Sequence, residues 1–345
     1  MGCTQSQKAT MDSNLNNHAR KPTPEERTDT KPIQYPPTEA EGYPPPFPPR
    51  LSSSFVEIDF FIPKKTTSQP ELACTVTLCK ADCNLGIGDF RIRKNKATAH
   101  DLKAILKGDR SVIISCHGFL SWRNQMILSH MAAGVAEQNN CHAVRFDFQG
   151  NGSSGGGWRM ANYAGELSDL QRVVSFVETD LGCNVACIIG HSKGSVAVLQ
   201  YAQQQSLKNQ SAADEKGNCC FVNLSGRYTS RGNFDPKTIF TEAQIKTLAE
   251  KGSFKLKSPG GRVLDVTAED IDERANLEMS FVSNISQRVL TIHGDADTTV
   301  DVDSAYTFDD KIPKHSLKVI PNADHNFNGL RYLREIVSAI ADFVV

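Results

Sequence analysis

From about residue 111 onward, short apolar runs alternate with amphipathic stretches, and this alternation restricts the folds open to the chain more than any other feature of its sequence. Segments 112–116, 143–148, 185–189, 221–224, 288–292 and 317–320 read as buried strands. Segments 123–138, 163–179, 193–205, 303–310 and 328–344 carry helical periodicity. Strands alternating with helices imply a mostly parallel sheet covered on both faces. Two more strands are expected upstream, at 55–62 and 74–79, while 80–110 is basic and loop-like. An insertion at about 227–287 carries two helical stretches, near 241–251 and 269–281. In such a fold the active site lies at the carboxyl ends of the strands, where an excursion of this kind makes a natural lid.

The bulk properties suit one large domain over 53–345. With 345 residues and 39% apolar composition, a single α/β domain can bury a sizeable core. A net charge of −1 gives no general attraction to nucleic acid or to an anionic membrane, so a nucleic-acid partner is not expected. No apolar run approaches the roughly 18 residues of a spanning helix, and no secretion signal is expected at the N-terminus. The ten cysteines include no Cys-x-x-Cys pair, so metal binding is not expected and reduced cytosolic thiols are.

Residues 1–52 are rich in proline and polar side chains and read as a disordered tether. The tether opens Met1-Gly2-Cys3-Thr4-Gln5-Ser6, which fits an N-myristoylation signal at Gly2, with Cys3 beside it as a palmitoylation candidate. One myristoyl chain binds membranes only marginally and a second makes the anchor stable. The expected location is therefore the cytoplasmic face of a membrane, held through acylation, or otherwise the cytoplasm.

Gly190-His191-Ser192-Lys193-Gly194 matches the G-x-S-x-G nucleophile turn. A second match, Gly152-Ser153-Ser154-Gly155-Gly156, makes context decisive. Ser192 directly follows a buried strand and precedes an apolar helix face, whereas Ser154 lies in a glycine-rich loop with no helix starting at once. Gly150-x-Gly152-x-x-Gly155 also imitates a dinucleotide fingerprint, but that site needs a helix opening at the motif. Helical periodicity waits until Tyr163, so the stretch reads as a surface turn.

A serine hydroxyl needs a base, and the base an orienting acid. With this turn the chain order is Ser, then Asp or Glu, then His. Ile292-His293-Gly294-Asp295-Ala296-Asp297 supplies an acid just past a strand, and Asn322-Ala323-Asp324-His325 a histidine past the next. Asp297 is preferred to Asp295, with Asp301 and Asp303 further along. His325 is the expected base; His191 should point elsewhere, and His293 should brace the acid turn. Oxyanion donors are expected from the backbone N–H of Lys193 and of Phe119, in the loop after Cys116-His117-Gly118.

Together with Arg145–Ser154 and Val222–Tyr228, these motifs resemble an α/β-hydrolase family of plants and fungi, the serine aminopeptidase (S33)-like proteins related to cinnamoyl esterases. The resemblance runs from about 112 to 343. It implies the α/β-hydrolase fold, a triad of Ser192, Asp297 and His325, hydrolysis of an ester or similar acyl bond, no cofactor, and a structural role for the 150–157 turn. Relatives usually continue the nucleophile turn with a further glycine where this chain has Ser195. The expected substrate is a small acyl ester or a lipid. Two alternatives stay open: a lipid or protein-thioester hydrolase at the membrane, and a membrane-tethered binding module on a non-catalytic scaffold. In an enzyme, ester hydrolysis should fall below about pH 6–7 as the base protonates.

Overall fold

The computed structural model describes residues 55–79, 97–106, 110–211, 219–232, 234–258 and 261–344. The tether and acylation signal expected in residues 1–52 lie outside the described residues.

The strands are β1 (Phe55–Ile62), β2 (Leu72–Cys79), β3 (Val112–Cys116), β4 (His142–Phe146), β5 (Val185–His191), β6 (Cys220–Leu224), β7 (Ser253–Lys257), β8 (Val263–Thr267), β9 (Val289–Gly294) and β10 (His315–Ile320). The helices are α1 (Ala99–Ile105), α2 (Met126–Asn139), α3 (Tyr163–Ser175), α4 (Gly194–Ser211), α5 (Glu242–Lys251), α6 (Ala268–Ala275), α7 (Asp303–Lys311) and α8 (Leu330–Val344). Eight strands form one sheet in the order β1-β2-β4-β3-β5-β6-β9-β10, and β7 pairs with β8 separately. β1 and β2 are antiparallel, as are β2 and β4. From β4 to β10 every neighbouring pair is parallel.

The pleat divides the apolar side chains between two layers. Ile114, Ile188 and Phe221 face the layer that holds α3, α4 and Phe308 of α7. Ile113, Ile189 and Val222 face the layer that holds α2 and α8. The central strands are buried on both faces and read as nearly continuous apolar runs, broken only by Ser115, His191 and Asn223, as parallel strands do. At the antiparallel edge, the wholly buried Arg145 of β4 donates to Thr77 on β2 (2.7 Å) and to Glu57 on β1 (2.8 Å). One guanidinium thereby spans three strands.

Three features differ from the sequence reading. Residues 99–105, taken as loop-like, form α1, nucleated by a capping box between Thr98 and Asp101. The stretch near 269–281 splits into α6 and a 3₁₀ segment, Ser280–Asn284. The insertion also carries the β7–β8 hairpin, whose Phe254 and Val266 pack with Met160 and Phe240. Phe119 and Trp158 pack against the same cluster, so the insertion rests on the loops that follow β3 and β4.

Candidate active site

Strand β5 ends at His191, and Ser192 turns the chain into α4 with φ at +54°. A non-glycine residue in that region costs of order 1–3 kcal/mol and persists only where its surroundings enforce it. Here its N–H donates to Leu224 O at the end of β6 (2.7 Å). A Cβ on Gly190 would lie 2.6 Å from Ser195 Cα, and one on Gly194 would lie 2.5 Å from His117 O. No larger residue fits at either position without moving backbone. Ser195 is accommodated behind the turn, where its hydroxyl donates to Gly190 O (2.8 Å).

The structure brings Ser192, His325 and Asp297 into one hydrogen-bonded line. Ser192 Oγ is 2.9 Å from His325 Nε2, and His325 Nδ1 is 2.7 Å from Asp297 Oδ2. Asp297 follows β9 and His325 follows β10, so both emerge with Ser192 at the carboxyl edge of the sheet. Burial pushes the Asp297 carboxyl up. Hydrogen bonds from His293 and then His325 outweigh it and hold the group well below the usual carboxylate range. The carboxylate is saturated: Oδ1 accepts the N–H groups of Thr299 and Val300 (2.8 Å each), and Oδ2 faces both imidazoles. An ionised Asp297 fixes the proton of His325 on Nδ1 and leaves the Nε2 lone pair toward the serine hydroxyl.

The neighbouring histidines are occupied elsewhere. His293 Nε2 faces Val300 O (2.9 Å) and Asp297 Oδ2 (3.2 Å), so it braces the acid turn. His191 Nε2 donates to His325 O (3.0 Å), which ties the residue before Ser192 to the backbone of His325. Asp295 accepts the N–H of Asn322 (2.6 Å) and Asp301 that of Asp303 (2.9 Å). Neither is the carboxylate that meets His325.

A Cβ on Gly118 would lie 3.0 Å from Ser192 Cβ, so the loop after β3 runs directly against the nucleophile turn. Leu120, just beyond, has φ of +53°, which folds that loop back. Among the described residues the N–H groups of Phe119 and Lys193 have no acceptor. The Lys193 side chain turns away from Ser192's reacting line: Nζ donates to the buried Glu166 (2.5 Å) and lies 5.5 Å from the Tyr163 ring centroid.

The second serine motif has a different task. Ser154 Oγ donates to Asp147 O (2.6 Å) and accepts the N–H of Ala73 (2.8 Å), which fastens the glycine-rich turn to β2. Asp147, wholly buried, accepts the N–H of Arg123 (2.6 Å) and of Ser153 (2.9 Å). The turn wraps this carboxylate. Among the described residues no cluster of side chains could hold a metal ion.

Beside Ser192 lies a pocket of about 400 Å³, its open mouth included, with Lys193, Tyr163, Arg227, Arg274 and Thr299 in its walls. Sequence reading did not single out the two arginines or the Lys193–Glu166 pair. Arg227 lies in the stretch that carried the family resemblance and Arg274 in the insertion, but their convergence is visible only in three dimensions.

Sheet order, layers and the strand-to-helix serine turn define the α/β-hydrolase fold. No family model matches the chain. The Saccharomyces cerevisiae protein YDL057W is 25% identical over 259 residues, 69% of this chain and 75% of its own length. Among solved structures, mouse alpha/beta hydrolase domain-containing protein 10 superposes with a TM-score of 0.55 at 18% identity, covering 83% of this chain and 98% of its own. Est1E of Butyrivibrio proteoclasticus with ferulic acid bound gives 0.54 at 17%, covering 79% and 94%. The Pyrococcus furiosus esterase Pf2001 gives 0.53 at 17%, covering 87% and 97%. These likenesses establish the fold, which hosts many chemistries; the site must carry the function.

Proposed function

We propose that the chain is a serine hydrolase that cleaves an ester or related acyl bond through an acyl-enzyme. The observation that carries this reading is the line from Ser192 Oγ through the His325 imidazole to Asp297, with bonds of 2.9 and 2.7 Å. Its tautomer is the one a general base requires. His325 Nε2 takes the proton of Ser192 as Oγ attacks the acyl carbonyl. The N–H groups of Phe119 and Lys193 receive the oxyanion, and each such donor is worth about 2.7–4 kcal/mol in the transition state. The protonated imidazole then gives its proton to the departing oxygen. A water, deprotonated by the same nitrogen, releases the acyl group and restores Ser192. The insertion over Phe119 and Trp158 serves as the lid, and the esterases among the fold's solved examples are in keeping with this chemistry.

The small, charged pocket favours a short acyl ester over the long chains of a lipid or an acylated protein. The test is labelling with a fluorophosphonate probe. Wild type should label, and Ser192→Ala should lose both the label and roughly 10⁴–10⁶-fold of its ester hydrolysis. A folded wild type that does not label would leave the reading as a binding module, and equal labelling of the variant would put the reactive group at a residue other than Ser192.

We propose also that Gly2 and Cys3 carry acyl chains that hold the enzyme at the cytoplasmic face of a membrane. Among the described residues no helix is long and apolar enough to cross one. Metabolic labelling with an alkynyl myristate should mark wild type and fail on Gly2→Ala; equal incorporation into both would dismiss the anchor.

A further inference from the structure

The turn that carries His325 is a closed unit. Asp324 Oδ1 accepts the N–H groups of Asn326 (3.2 Å) and Asn328 (2.9 Å), and Asp324 O accepts that of Phe327 (3.0 Å). The Phe327 side chain anchors the unit in the core, wholly buried. Contacts from outside then place it. The His325 imidazole meets Asp297 and the His325 carbonyl meets His191. From the loop after β3, Gln125 Nε2 donates to Asn326 Oδ1 at 3.2 Å.

Gln125 uses both ends of its amide. While Nε2 reaches Asn326, Oε1 accepts the hydroxyl of Ser121 (2.5 Å), which lies just past Phe119 and Leu120. The far half of the same loop is fixed independently. The Arg123 N–H and guanidinium bind the buried Asp147, and Arg123 O accepts from Arg145 (3.1 Å). One side chain therefore joins the stretch that carries the Phe119 N–H to the turn that carries His325.

Gln125 is also the N-cap of α2, yet its side chain makes no capping bond, and no acidic residue in the first turn compensates. Ser, Thr, Asp and Asn are preferred at such a position because a short side chain can satisfy an orphan N–H of the first turn. A glutamine whose amide turns away from its own helix breaks that local rule, and such breaks gather at functional sites.

We infer that Gln125 is a positioning residue. It holds the His325 turn and the Phe119 loop at one separation, so that imidazole and oxyanion donor meet Ser192 together. The inference rests on the serine-hydrolase reading. Gln125 itself takes no proton and forms no bond to the reacting atoms.

Gln125→Ser sets stability against activity, because serine caps α2 but is too short to reach Asn326. In the full chain its melting temperature should equal or exceed that of wild type. With p-nitrophenyl butyrate, kcat should fall about tenfold, the scale of one hydrogen bond. KM should stay within about twofold, since substrate binding is untouched. Asn326→Ala, which keeps its N–H on Asp324, should lose the same factor. The double variant should lose no more than either single one, as two residues acting through one contact do. A second readout does not need turnover. Exchange of the His325 Nδ1 proton, followed by nuclear magnetic resonance and identified by its absence from His325→Gln, should quicken in Gln125→Ser. Should folded wild type neither hydrolyse the ester nor take a fluorophosphonate, the hydrolase reading fails, and faster exchange would still show that Gln125 holds the turn. Unchanged exchange in Gln125→Ser, an unchanged kcat beside an active wild type, losses that multiply in the double variant, or a loss of kcat only alongside a lower melting temperature would overturn the inference.

Discussion

His191 donates a hydrogen bond from Nε2 to the carbonyl oxygen of His325 at 3.0 Å, so the residue before Ser192 holds the main chain at His325. Ser192 and His325 sit on separate strand ends, and this contact fixes their separation from behind. Burial, and then the neighbouring His325 imidazole, pushes the His191 pKa down to about 3, so the ring stays neutral and serves as a positioning group. We predict that His191→Ala lowers kcat by up to about 10²-fold with little change in KM, the scale set by a misplaced catalytic group. His191→Gln, which can offer an amide N–H, should recover part of the loss. Steady-state kinetics on the two variants checks this; an unchanged kcat in His191→Ala would show that the contact positions nothing.

The same depressed pKa makes stability depend on pH. In the unfolded chain His191 takes up a proton near its ordinary value of 6.5, whereas the folded state resists it down to about 3. The unfolded state binds more protons over that window, so the contribution is fully present above about pH 6.5 and is lost as the pH falls toward 3. The melting temperature of wild type should therefore drop between pH 6.5 and 4 more steeply than that of His191→Gln.

Asp169 of α3 has the opposite sign. Burial raises its pKa to about 7, against the Gln149 N–H at 2.7 Å and an Arg172 guanidinium 3.7 Å away. Arg172 is itself pushed toward neutrality by burial, in agreement with a loose pair. The folded state here binds the extra proton, so the contribution of Asp169 is fully present below about pH 4 and is lost as the pH rises through 7. Asp169→Asn keeps an acceptor for Gln149 and removes the titration. Its melting temperature relative to wild type should climb from pH 4 to 7 and then level off. Each kcal/mol is worth roughly 2–4 °C in a domain somewhat smaller than this. A constant difference across that range would refute the assignment.

The Lys193–Glu166 pair separates the roles of the lysine's side chain and main chain. Both side chains are buried, and Glu166 Oε2 has no further partner. Removing one member strands the other's charge, at a cost of about 3–5 kcal/mol. Lys193→Met should thus lose stability by that order, while the folded fraction keeps most of its fluorophosphonate reactivity, because the amide N–H remains. Lys193→Met combined with Glu166→Leu should regain much of the stability. Denaturant melts with active-site titration measure both, and a folded but unreactive Lys193→Met would mean that the ammonium takes part in the chemistry.

The sheet was legible in the sequence because its central strands are buried on both faces, so runs such as Val112–Ile114 and Val185–Ile189 are apolar throughout. The convergence of Ser192, Asp297 and His325 was legible because each lies just past a strand end at the same edge of the sheet. Helix α1 was missed within a basic stretch although Thr98 and Asp101 carry a capping signal. The β7–β8 hairpin was missed because each strand has only one or two buried positions, which leaves weak alternation, although Ser258-Pro259-Gly260-Gly261 between them is turn chemistry. The arginine pair was beyond reach for another reason. Arg227 and Arg274 are separated by most of the insertion, and no periodicity records which loop folds back on which.

Strands β6 and β9 are hydrogen-bonded neighbours, Phe221 opposite Val289, so the chain departs for its long excursion and returns through adjacent rows of the same sheet. The scaffold therefore closes behind the excursion as though it had never left. Evolution, or an engineer, can exchange that whole cassette for another of different length at little topological cost. The exchange would carry Arg227, Arg274 and one side of the pocket with it, yet leave the serine, the imidazole and the carboxylate where they stand.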